Sequence, residues 1–191
     1  AYQAFPGAGW KWMAHETGHL FGLHDLYTID PQPPTYGSWD IMSLNWSTKA
    51  IELNSWNRFI MDWLPASAYR CLSSSQAKSL SEPTSLIPIG SDSTGTKAIF
   101  VPLSTTEILV IEHRATAGLD IIPEQEAGVL VYTVNMTIPS IKGGWKVVRP
   151  EGSVSRTFED AALQVGDRVS VGSLQITVTG KSGSGLLVEI K

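Results

Sequence analysis

The sequence predicts an α+β chain in two parts, a helical part over residues 1–66 and an antiparallel β-sandwich over residues 67–191. Three observations predict it. Composition shifts near Pro65: six of the seven Trp and three of the four His precede it, and the later residues are rich in Val, Ile, Ser, Thr and Gly. Before the shift, apolar residues repeat at one-face helical spacing, as in Trp56, Phe59, Ile60 and Trp63. After it, short apolar runs are bounded by turn residues, the pattern of a sandwich of about 110–120 residues.

Trp10 to Phe21 reads as a helix because it lacks proline and Gly22 stands where a left-handed C-terminal cap would sit. Asp30 to Ser38 holds three prolines and Gly37, so it reads as a long loop. A second helix is expected from about Asn54 to Leu64, capped by Asn54 or Ser55 and stopped by Pro65. The boundary falls between Leu64 and about Ala77, where Pro65 to Ala68 and Ser73 to Ser75 have linker or turn character. The expected strands are Thr84 to Ile89, Lys97 to Leu103, Glu107 to Arg114, Gly128 to Asn135, Arg168 to Thr179 bent at Gly172, and Leu186 to Lys191.

Charged residues make up 17% of the chain, and the net charge of -4 is spread without a block of one sign, so nucleic acid is not an expected partner. The longest apolar runs, Ile108 to Ile111 and Val129 to Tyr132, fall far below the roughly 18 residues of a membrane helix. No signal-peptide pattern opens the chain, which reads as a soluble globular protein, and its start at Ala1 makes a processed product, an excised piece or a fragment the expectation. Cys71, the single cysteine, excludes an intramolecular disulfide and a multi-cysteine zinc ribbon. Calcium is not supported by a ligand pattern, since no regular spacing links Asp92, Asp120 and Asp167. Trp145, beside Gly143 and Gly144, reads as a turn residue packed on the sheet.

The chemistry is concentrated in His15-Glu16-Thr17-Gly18-His19-Leu20-Phe21-Gly22-Leu23-His24-Asp25. On a helix, His15 and His19 lie one turn apart and point the same way, so their imidazoles can hold one zinc ion. Glu16, one step round, then faces the water on that ion as general base. Gly22, with a positive φ, would turn the chain so that a side chain six positions beyond His19 swings back as third ligand. That position is Asp25, and carboxylate oxygen is an ordinary zinc ligand; His24, one residue early, is the alternative third ligand. Gly18, costly inside a helix, points to close packing against it.

With these residues the chain resembles the metzincin-like secreted metallopeptidases of the immune inhibitor A family. Their motif H-E-x-x-H-x-x-G-x-x-D is matched by His15 to Asp25, followed by Leu26-Tyr27-Thr28, where the family has Leu-Tyr-Asp. Gly37-Ser38-Trp39-Asp40-Ile41-Met42-Ser43 resembles the family's Met-turn segment, which implies that Met42 lies under the zinc site. Leu53 to Leu64 resembles the helix closing the catalytic domain, with Asp62 in place of a glycine, and Glu112 to Arg114, Pro123 and Gly128 to Asn135 resemble the family's β-domain.

The resemblance implies the C-terminal half of a metzincin-like catalytic domain (active-site helix, Met-turn and closing helix) joined to a β-sandwich. It also implies secretion and peptide-bond hydrolysis of a protein or peptide substrate, by a zinc-activated water with Glu16 as base. The tyrosine that many metzincins carry two residues after the Met is Leu44 here, which leaves Tyr27 and Tyr36 as candidate oxyanion or substrate contacts. Only fourteen residues precede His15, so an N-terminal sheet of the same enzyme, which would cover the apolar side of the helix, is expected to be missing. Three other readings compete. A deformylase would need Cys71 as a ligand, a gluzincin would use Glu52, and a non-catalytic cell-surface or glycan- or protein-binding sandwich would carry the peptidase segment as a vestige.

Overall fold

The computed structural model describes residues 9–29, 34–43 and 49–191. Pro31 and Pro33 of the expected loop, and Leu44, lie outside these. Among the described residues the elements are α1 (Gly9–Leu20), α2 (Ser55–Ile60), β1 (Tyr69–Cys71), α3 (Ser74–Lys78), β2 (Thr84–Leu86), β3 (Ala98–Pro102), β4 (Glu107–Arg114), β5 (Gly128–Asn135), β6 (Trp145–Val147), β7 (Arg168–Val171), β8 (Leu174–Ser182) and β9 (Gly185–Ile190).

The expected α+β class, with a helical half preceding the sandwich, is overturned: the described chain is mainly β, with nine strands and three short helices of 12, 6 and 5 residues. The physical reason lies in residues 21–54. Their described backbone is turn, bend and coil, and its N–H groups bond to side chains and loop carbonyls instead of a helical ladder. The second helix also stops early. Asp62 takes a left-handed φ of 57°, and Trp63 N–H reaches back to the Arg58 carbonyl at 2.8 Å, the hydrogen bond that closes a Schellman cap.

Strands β1-β3-β4-β5-β6 form one sheet and β2-β9-β8-β7 the other. Pairing is antiparallel except between β1 and β3, which run parallel. Leu86, Ile99, Leu109, Ile111, Val131, Ile176 and Val188 fill the space between the sheets. Alternation along the strands sends Phe100, Val110, Leu130 and Tyr132 to the opposite face of the larger sheet. That face is buried too, in a second core with Leu23, Leu26, Trp39, Met42 and Trp56. β4 and β5 therefore read as nearly continuous apolar runs because they are covered on both faces. Packing is continuous across residues 66 and 67, since this second core extends from Leu23 to Ala162. The described residues between Leu23 and Leu64 that join this core thus form a layer on the outer face of the larger sheet.

Candidate metal centre

α1 carries His15 and His19, and the chain turns back after it at Gly22, whose φ is +92°. Leu23 N–H bonds to the Gly18 carbonyl at 3.1 Å, which closes the helix end and sends residues 24–26 back along it. His15, His19 and Asp25 come together, with their ligand atoms all within 4.8 Å of one another. His15 Nε2 lies 3.0 Å and His19 Nε2 3.3 Å from Asp25 Oδ1. His24 is exposed and is not in this group.

Each imidazole is oriented from its other nitrogen. His15 Nδ1–H donates to the Ile41 carbonyl and His19 Nδ1–H to the Leu23 carbonyl, both at 2.8 Å. A neutral imidazole that donates from Nδ1 offers a lone pair at Nε2. With both imidazoles neutral, three acceptors converge: two Nε2 lone pairs and Asp25 Oδ1, which is buried and receives no hydrogen bond. Acceptors at 3.0 and 3.3 Å repel unless a metal cation, or a proton on an imidazole, lies among them. Tetrahedral zinc, with ligand bonds of about 2.0–2.1 Å, sets its ligand atoms about 3.3 Å apart, so this donor set fits it in kind and the two Nε2–Oδ1 separations match it in spacing, with all three ligand atoms within 4.8 Å of one another.

Glu16 is exposed on α1 and is no part of the ligand group, as a base requires. The Tyr27 ring stacks on His15 with centroids 6.2 Å apart and planes 18° off parallel. Burial pushes its hydroxyl above the usual tyrosine range, helped by the Asp25 charge, by the hydrogen bond it donates to Asp25 and by nearby Glu16. Tyr36 is fully buried, edge-on to Tyr132 with centroids 5.2 Å apart. A hydroxyl so enclosed meets no substrate from solvent, so Tyr27 is the tyrosine at the site.

Met42 is fully buried beneath the helix, and this explains Gly18. A Cβ on Gly18 would stand 2.5 Å from Met42 Sδ. Gly18→Ala should therefore lower stability by up to about 2 kcal/mol, overpacking of about 1–3 kcal/mol set against a gain of about 1 kcal/mol in helix propensity. Urea unfolding should find the sign reversed in a Met42→Ala background, where the space is open. An equal cost in both backgrounds would detach Gly18 from Met42.

Sequence reasoning did not single out the buried network behind this turn. Asp40 Oδ1 accepts Met42 N–H, and its Oδ2 accepts Asn54 N–H, both at 2.7 Å. From β4, Glu112 accepts Ser55 N–H at 2.7 Å, and Arg114 donates to the Trp39 carbonyl at 2.7 Å and pairs with Asp120 at 2.8 Å. Asp120 Oδ1 in turn accepts the N–H groups of Ile51 and Glu52. Burial pushes the Asp40 carboxyl up to about 7, against the pull of the Asn54 and Met42 N–H groups and of the Arg114 charge. For Arg114, burial alone would ease loss of its proton, but Asp120 and Glu112 outweigh it and hold the guanidinium charged. The signal was present in β4, where Glu112 and Arg114 share a strand face with Ile108 and Val110.

The residues of the competing readings lie elsewhere. Glu52 pairs with Arg58 and accepts Leu119 N–H at 2.7 Å, and Cys71 is exposed on β1. Trp145 is buried in β6, paired with Val134. No described helix is long and apolar enough to cross a membrane. Comparison with protein-family models, with curated proteins and with solved structures finds no match to this chain.

Proposed function

We propose that the chain carries the zinc site of a metalloendopeptidase of the immune inhibitor A kind. The observation that carries this reading is the meeting of His15 Nε2, His19 Nε2 and Asp25 Oδ1, which with neutral imidazoles are three acceptors around one point. These residues would hold the ion. Once bound, zinc supplies Lewis acidity, polarising a scissile carbonyl and lowering the pKa of a water toward about 7.

The chain's own residues do the rest. The carbonyls of Ile41 and Leu23 keep both imidazoles facing inward, so no reorientation is needed on binding. Glu16, exposed on the same helix, takes the proton of the attacking water and returns it to the leaving amine nitrogen. Tyr27, stacked on His15, is the candidate to donate to the carbonyl oxygen as negative charge develops there. A protein or peptide is the proposed substrate, and action outside the cell is proposed on the family resemblance.

The test is zinc per chain after metal-free purification and reconstitution. About one zinc is expected in the wild type and in His24→Ala. His19→Ala and Asp25→Ala should each weaken binding by at least about 100-fold, since a tetrahedral site loses one of only three protein ligands. A wild-type chain that takes up no zinc, or an Asp25→Ala variant that binds like wild type, would sink the reading.

A further inference from the structure

We infer that Asp40 is a positioning residue for the metal ligands, bracing the one turn from which both His15 and the Asp25 segment are held. This rests on the zinc reading, but its first measurement needs no metal. Asp40 is fully buried. Its side chain accepts Met42 N–H from within the turn, and its backbone carbonyl accepts Ser43 N–H at 2.9 Å, so residues 40–43 are closed twice over. The other carboxylate oxygen accepts Asn54 N–H at 2.7 Å and Asn57 Nδ2–H at 3.3 Å, which ties the turn to the N-terminal end of α2.

The turn then presents two successive carbonyls to the site. Ile41 C=O receives His15 Nδ1–H, and Met42 C=O receives Leu26 N–H, the peptide next after Asp25, both at 2.8 Å. His19 is held separately, by the Leu23 carbonyl at the end of its own helix. Two of the three ligands thus depend on Asp40 and one does not. That asymmetry is what a residue serving stability alone would not produce.

Three N–H donors converge on the carboxylate, so an amide of the same shape fails at one of them. In Asp40→Asn the amide oxygen can serve Asn54 and Asn57, and its NH₂ then faces Met42 N–H and opens the turn. The experiment reads imidazole tautomers by long-range ¹H–¹⁵N correlation in the metal-free chain at about pH 8, well above the ordinary histidine pKa, followed by cobalt(II) titration in visible light. Wild type should hold both histidines as Nδ1–H tautomers. In Asp40→Asn, His15 should populate both tautomers while His19 keeps its own, and the cobalt Kd should rise about 10–100-fold, as when a partner that orients a metal ligand is removed. Val131→Ala, a truncation between the two sheets, should lower stability and leave tautomers and cobalt Kd unchanged.

An Asp40→Asn chain with the wild-type His15 tautomer and cobalt Kd overturns the inference, and so does a Val131→Ala chain that shifts them equally. If Asp40→Asn does not fold, Asn57→Ala decides in its place. It removes one Asp40 contact without stranding a charge, and a His15 tautomer ratio identical to wild type overturns the inference. A wild-type chain that takes up no cobalt defeats the zinc reading, and the tautomer comparison then decides on Asp40 alone.

Discussion

Arg114→Met should destabilise the chain by at least about 4 kcal/mol, enough to unfold much of it near physiological temperature given a typical total of about 5–15 kcal/mol. Arg114 is fully buried on β4. Its guanidinium pairs with Glu112 at 3.2 Å and Asp120 at 2.8 Å and donates to the carbonyls of Trp39 and Glu52. Removing one partner of a buried ion pair costs about 3–5 kcal/mol, because the charge left behind stays desolvated. Here two carboxylates are left behind. Both also hold backbone N–H groups of residues 51–55, so they cannot swing out to water without releasing that segment. Adding Asp120→Asn and Glu112→Gln should recover part of the loss, since the penalty belongs to the stranded charges. Arg168→Met, on an exposed position of β7, should stay within about 0.5 kcal/mol of wild type. Chemical denaturation of these variants checks this, and an Arg114→Met chain within about 1 kcal/mol of wild type would refute the role given to the network.

What the sequence made legible was local. β4 and β5 occupy the ranges expected for them, and Asn54 caps α2 by accepting Asn57 N–H, because these features depend on neighbouring residues. The spacing of His15, His19 and Asp25 around Gly22 was equally readable, since a helix and one left-handed residue define it. Asp62, standing in place of a glycine, has the left-handed φ that a glycine would take without strain. What was not legible depended on distant partners. β1 and β6 are three residues each and exist through pairing with β3 and β5. α3 hides in a serine run that reads as a linker, although Ser73 and Gln76 form a capping box there. The fold class was misjudged because apolar spacing was extended into a helical half. The described residues between α1 and α2 are coil, held by buried carboxylates that no periodicity reports.

Glu16→Gln should bind zinc as wild type does and hydrolyse peptide bonds about 100- to 10,000-fold more slowly. The two halves of this prediction rest on different observations. Zinc uptake should persist because Glu16 is exposed and stands apart from the ligand group, and an amide of the same size disturbs no packing there. Hydrolysis should fail because an amide cannot accept the proton of the attacking water, nor carry it to the leaving nitrogen. Glu16→Asp sharpens the point: it keeps the base and withdraws it by one methylene, so its rate should fall between the other two. The measurement is release of new peptide amino termini from an unfolded protein, beside zinc per chain in the same preparations. A Glu16→Gln chain that keeps more than about a tenth of wild-type rate at equal zinc would remove Glu16 as the base and direct attention to Tyr27 beside His15. Loss of both zinc and rate would instead mean that the helix tolerates no change at this position, and the ligand geometry would have to be measured again in that variant.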